Sequence, residues 1–194
     1  MSNLLLYGQT AGIAAARRAG VLVGLGSDWS VSGSKGLLGE LKAARLAADA
    51  RDVGLSDRDL VAMATRDAAR ILRWEHTLGS LQPGLRADLL VTAHTSGDPY
   101  TALVKAVDSD IRLVVIEGTA RYGTRDLVKA AAPQATVEAV PSTRADERVV
   151  HLHEVNTDPI VAGLSLAEAT RRLGTALAAR FVALPIWHPC CNCR

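Results

Sequence analysis

The carboxylate best placed for chemistry in this 194-residue chain is Asp28, which closes the stretch Val21-Leu22-Val23-Gly24-Leu25-Gly26-Ser27. Val21 to Val23 show no polar alternation, the pattern of a strand covered on both faces in a parallel α/β sheet. A carboxylate at the carboxyl end of such a strand sits on a rim where loops converge, able to ligate a cation or to take a proton. The competing reading is structural: Asp28 caps the helix that follows, and the strand alone leaves both open. Two phosphate-binding readings of the neighbourhood fail. Gly24-Leu25-Gly26 lacks the third glycine of a dinucleotide fingerprint, whose place Trp29 occupies, and Gly33-Ser34-Lys35-Gly36 lacks phosphate-loop spacing.

Histidine and cysteine offer two further groupings. His151-Leu152-His153-Glu154 repeats a His-x-His on an apolar background, but alternate residues share one face of a strand, so the pair also reads as the polar face of an edge strand. His188, Cys190, Cys191 and Cys193 have the composition of a zinc cluster, yet structural sites draw on two separated ligand pairs. An irregular chain end is the simpler reading. His76 and His94 stand at element junctions without a matching partner and read as surface residues.

Positioning Asp28 requires elements on either side of it. Residues 9–19 are alanine-rich and end at Gly20, which suits a helix and its terminating glycine. A strand is expected at 21–26, and Trp29 and Ser30 follow Asp28 in a rim loop, where they serve as pocket residues or as ordinary loop packing. Leu37, Leu38, Leu41, Ala44 and Ala48 then recur at helical spacing, and Ser56 with Asp59 marks the start of a further helix running to Arg73. From residue 78 the texture changes to Pro83-Gly84 turn chemistry, a strand at 87–91, a hairpin of Ile111–Glu117 with Thr119–Tyr122, and strand candidates at 137–140 and 148–152. Ser165 and Glu168 form a capping box for a last helix to about Arg180. This divides the chain into strand–helix units over 1–77, a small-sheet portion over 78–150, and a helix with an irregular tail over 151–194.

Composition narrows the partners. A balance of 22 Lys+Arg against 20 Asp+Glu, with the basic residues scattered, argues against nucleic acid. No apolar run reaches spanning length and the start has no leader-like basic region, so no membrane is expected. All three cysteines lie in the last five residues, which fits a reducing cytoplasm. A homo-oligomer is compatible with this composition.

Three matches carry a family resemblance: Ser2-Asn3-Leu4 with Gly8; Gly24-Leu25-Gly26-Ser27-Asp28; and Leu78-Gly79-Ser80-Leu81, Pro83-Gly84 and Ala87-Asp88-Leu89 at fixed offsets. Over about residues 1 to 130 the chain resembles the C-terminal part of metal-dependent amidohydrolases, in the branch of cytosine-deaminase-like, chlorohydrolase-like and imidazolonepropionase-like enzymes. The resemblance implies an α/β fold: the C-terminal remnant of a (β/α)₈ TIM-type barrel plus part of a composite β-sandwich. It implies that Asp28 is both metal ligand and general base, with Trp29 and Ser30 near the substrate. The metal, zinc or iron, would make hydroxide available near neutral pH. The implied reaction is hydrolysis of a non-peptide carbon–nitrogen bond in a small cyclic amide, amidine or amino-heterocycle. The family's His-x-His and its other histidines have no counterpart at the matching places, and a whole barrel takes about 250 residues. The chain is therefore expected to be the tail of a longer enzyme, retaining little metal by itself. The alternative is a non-catalytic interaction module that needs another chain to complete the barrel.

Overall fold

The computed structural model describes residues 2–27, 29, 31–93, 97–141, 146–152 and 164–180. The chain begins with two short helices, α1 (Ser2–Tyr7) and α2 (Ile13–Arg18). The Ser2-Asn3-Leu4 segment is thus helical, closed by Gly8 at φ +66°. At the end of α2 the Gly20 N–H donates to Arg17 O and the Val21 N–H to Ala16 O, with Gly20 at φ +71°, the left-handed closure that glycine allows.

Three helices build the first core. In α3 (Leu37–Ala50) the expected apolar stripe is buried through Leu41 and Ala48. The stretch expected as one helix to Arg73 is two, α4 (Asp57–Ala64) and α5 (Arg66–Ile71), broken at Thr65. Ser56 and Asp59 cap α4 reciprocally: the Asp59 N–H donates to Ser56 Oγ at 3.1 Å and the Ser56 N–H to Asp59 Oδ2 at 2.9 Å. Leu41, Ala48, Leu55, Leu60 and Met63 close around Val104, which comes from α6 (Pro99–Lys105) much later in the chain. α6 starts on the Asp98 carboxylate, which accepts the Thr101 N–H at 2.7 Å, with Pro99 in the first turn. Thr101 Oγ1 donates to Asp57 Oδ2 at 2.6 Å and the Lys42 ammonium donates to Ala106 O, which ties α6 to α4 and α3.

The second core lies under a five-stranded, wholly antiparallel sheet: β1 (Leu89–Thr92), β2 (Ile111–Ile116), β3 (Thr119–Thr124), β4 (Glu138–Val140) and β5 (Arg148–Val150), in the order β1-β2-β3-β5-β4. The hairpin turn places Glu117 and Gly118 at positive φ, 52° and 78°. α7 (Arg125–Ala131) packs on this sheet, burying Val128 against Ala120 and Val149. Arg148, only 2% exposed, donates to Ile111 O, to Ser109 O at 3.2 Å and to Asp146 Oδ2 at 3.0 Å, which also receives Arg112 at 2.6 Å. Finally α8 (Leu166–Arg180) is capped by Ser165, and the Glu138 carboxylate accepts its Leu166 N–H at 2.8 Å.

One element departs from expectation. Residues 21–26 form neither helix nor strand, because a strand exists only beside a hydrogen-bonded neighbour and every strand pair among the described residues is antiparallel and within the sheet. Nor is the segment covered on both faces. Val23 and Leu25 pack on the helical core, while Val21 and Leu22 are 57% and 48% exposed.

Candidate functional site

The approach to Asp28 is fixed from below by the break in the α4–α5 helix. Ending α4 at Ala64 frees its last carbonyls, and Met63 O accepts the Leu25 N–H at 3.0 Å. Gly24 passes so close to α5 that a β-carbon there would fall 3.2 Å from Ile71 Cδ1 and 3.7 Å from Ala68 Cα. A small residue at 24 therefore lets the segment lie against the helices, whereas a β-carbon at Gly26 would meet open space.

Beyond Gly26 the chain turns over the start of α3. Ser27 Oγ donates to Ser34 O at 2.6 Å, and the Ser34 N–H donates to Glu40 Oε1 at 3.2 Å. Between them the Ser32 and Gly33 N–H groups both donate to Trp29 O, at 3.1 and 2.7 Å. Trp29 is 63% exposed and Val31 is exposed beside it, so the loop presents an indole to its surroundings. Asp28 and Ser30 lie outside the described residues.

Glu40 is the site residue that the motif reading passed over. Its carboxylate is 7% exposed in the first turn of α3. Burial opposes ionisation, but hydrogen bonds from Ser34, together with a hydrogen bond and the charge of a nearby cation, prevail and hold the carboxyl below the usual carboxylate range. A signal was present in the sequence: Glu40 is three residues after Leu37 and four before Ala44, which puts a charged residue beside the apolar stripe of its helix.

The other candidate residues do not gather around this loop. The His151 N–H donates to Arg121 O at 2.8 Å just past β5, an interior strand between β3 and β4 rather than an edge. His153, His94 and the tail with His188, Cys190, Cys191 and Cys193 lie outside the described residues. His76 is a surface side chain 4.0 Å from Glu75. Among the described residues no three His, Cys, Asp or Glu side chains converge, so these residues do not fit a metal shell. None of the described helices is long and apolar enough to cross a membrane.

The Asp88 carboxylate explains the third sequence match. Asp88 Oδ1 accepts the Glu117 N–H at 2.7 Å, the Gly118 N–H donates to Ala87 O at 3.0 Å, and Arg86 pairs with Glu117. The Ala-Asp pair therefore staples the chain entering the sheet to the tip of the hairpin, and Gly79 upstream sits at φ +97° against Ala69 of α5. The amidohydrolase family model matches residues 1–121, a span that contains both the Asp28 loop and this staple.

The chain belongs to the amidohydrolase family. It is 35% identical to the 5-methylthioadenosine/S-adenosylhomocysteine deaminase of Symbiobacterium thermophilum over 136 residues, which are 63% of this chain and 31% of that protein. The enzyme of the same description from Teredinibacter turnerae is 38% identical over 95 residues, 46% of this chain and 21% of that one. Among solved structures, a triazine hydrolase variant matches with TM-score 0.52 at 33% identity, covering 61% of this chain and 29% of its own. An adenosine deaminase from Xanthomonas campestris with bound zinc matches with TM-score 0.55 at 25% identity, covering 62% and 30%. The chain thus spans about a third of the length of the first curated relative.

Proposed function

We propose that this amidohydrolase chain supplies the last strand–helix units of a TIM-type barrel and the adjoining sheet of an enzyme that hydrolyses a carbon–nitrogen bond in an amino-heterocycle. The observation that carries the reading is the family match over residues 1–121, which spans Asp28 on the segment held by Met63 O and Glu40. Deaminases of 5-methylthioadenosine and S-adenosylhomocysteine and a zinc-bound adenosine deaminase among its relatives favour a small amino-purine or related ring as substrate.

In this reading Asp28 is the general base: its carboxylate takes a proton from the attacking water and returns it to the leaving nitrogen, so that ammonia departs uncharged. Trp29 stands next in the chain, and its exposed indole offers a planar apolar face for a heterocycle, with Ser30 as a polar neighbour. The zinc-bound adenosine deaminase among the structural relatives favours a divalent metal, but the described residues provide no shell for it. The remaining ligands and strands then come from protein outside these residues, in the same polypeptide or a second one. The exposed Val21 and Leu22 favour that completion, since an apolar segment without strand neighbours is what an unfinished barrel leaves.

The test is a hybrid in which this chain replaces the matching 31% of the Symbiobacterium relative. Ammonia release from an amino-purine is expected, and Asp28→Asn should lower turnover by about 10²–10⁴-fold with little change in stability. A folded, zinc-loaded hybrid without turnover, or a fully active Asp28→Asn, refutes the assignment.

A further inference from the structure

Glu40 does more than neutralise a helix start. In a capping box the acidic side chain returns to the N-cap N–H. Glu40 reaches past the N-cap, Gly36, to the N–H of Ser34, two residues outside the helix. Ser34 is held at three points. Its N–H goes to Glu40, its carbonyl receives Ser27 Oγ, and its side chain lies so close to α3 that a β-carbon on Gly39 would fall 2.8 Å from Ser34 Cβ. The two serines stand on either side of the turn in which the Ser32 and Gly33 N–H groups donate to Trp29 O.

We propose that Glu40 is a positioning residue for the Asp28 loop: its buried carboxylate grips Ser34, Ser34 holds Ser27, and the loop's two feet are thereby kept at a fixed span. The proposal rests on the reading of Asp28 as a working carboxylate. A group that must meet both a water and a leaving nitrogen tolerates little displacement, since misplacement by about 1 Å can cost about 10²-fold in rate. Fixing both feet of the loop from a rigid helix provides that constraint without the loop's own packing.

Amide hydrogen exchange on the 194-residue chain tests the grip. Glu40→Ala should speed exchange across residues 27–36 by at least about tenfold, whereas Glu40→Gln, which keeps a carbonyl acceptor, should restore most of the protection. Ser27→Ala should loosen the same segment without touching the buried carboxylate, and so serves where Glu40→Ala fails to fold. Exchange within Leu41–Ala48 and the sheet should stay as in the parent for Ser27→Ala and Glu40→Gln. In the hybrid enzyme, Ser27→Ala should lower kcat by about tenfold or more with KM within about twofold. Unchanged exchange over 27–36 in Ser27→Ala and in a folded Glu40→Ala overturns the proposal, as does an unchanged kcat in a loop that exchange shows to be loosened. Full turnover in Asp28→Asn overturns the site reading instead, and leaves the exchange result standing.

Discussion

Gly79 offers a quantitative test of how the helical layer meets the chain that enters the sheet. It sits at φ +97°, and a β-carbon there would lie 2.5 Å from Ala69 Cβ, 3.4 Å from Thr65 O and 3.5 Å from Arg66 Cα. Gly79→Ala therefore meets two independent penalties. Positive φ costs an L-residue about 1–2 kcal/mol, and overpacking against Ala69, 2% exposed in α5, adds about 1–3 kcal/mol. The lower entropy of the unfolded alanine chain returns about 0.4–1 kcal/mol. A net loss of about 1–4.5 kcal/mol is expected, read as a lower urea midpoint with unchanged slope. The partner substitution Ala69→Gly costs about 1 kcal/mol in a helix interior. Combined with Gly79→Ala it removes the overlap but not the backbone strain, so the double variant should be more stable than the sum of the singles by about 1–3 kcal/mol. Strict additivity, or a Gly79→Ala variant within about 0.5 kcal/mol of the parent, would refute the close approach.

Three further outcomes follow from the fold. Arg148→Ala leaves Asp146 and two carbonyls without their buried donor and should cost about 3 kcal/mol, whereas Arg112→Ala, on the more open side of Asp146, should cost less than about 1 kcal/mol in the same urea titration. Arg171 and Arg172 hold the Glu168 carboxyl down to about 2, so its contribution to α8 is complete above the ordinary carboxylate range and is lost as pH falls through the lowered value. Circular dichroism should show helicity falling between about pH 4.5 and 2, and Glu168→Gln should flatten that dependence. Arg73 closes α5 at φ 58°, with the Trp74 N–H donating to Ala69 O at 2.8 Å, a position that suits glycine. Arg73→Gly should raise the thermal midpoint by a few degrees, for a gain of about 1 kcal/mol.

What could be read in advance was what local chemistry decides. The capping box at Ser56 and the hairpin turn at Gly118 are written in neighbouring residues and are found where expected, whereas at Ser165 only half of the expected box forms: Ser165 Oγ accepts the Glu168 N–H, and the Glu168 carboxylate turns to Arg171 and Arg172. The strand pairs around 138–140 and 148–150 also formed, because β5 finds both β3 and β4 beside it. α6 and α7 were missed although Asp98-Pro99 is a helix start; seven residues are too few for a periodic stripe. The segment at 21–26 is no strand for a non-local reason, since none of the described strands pairs with it. The helix break at Thr65 was equally invisible, being useful only through the carbonyl it frees for Leu25. Asp28 is singled out by its place after an apolar run and by resemblance and lies outside the described residues, and Glu40 became legible only when its stripe position was set beside its burial.

The insertion of α6 into the helical core has a consequence for how the protein is made. Leu41, Leu60 and Met63 have no lid until Val104 arrives, and β1 lies between them in the chain. On a ribosome the α3 and α4 segments emerge early and wait with their apolar faces open until the chain beyond β1 has been synthesised. The helical layer then closes by recruiting a piece of the loop between the first two strands, so neither layer can be finished without the other. A nascent chain stalled between Met63 and Val104 should be the species that chaperones hold and proteases find.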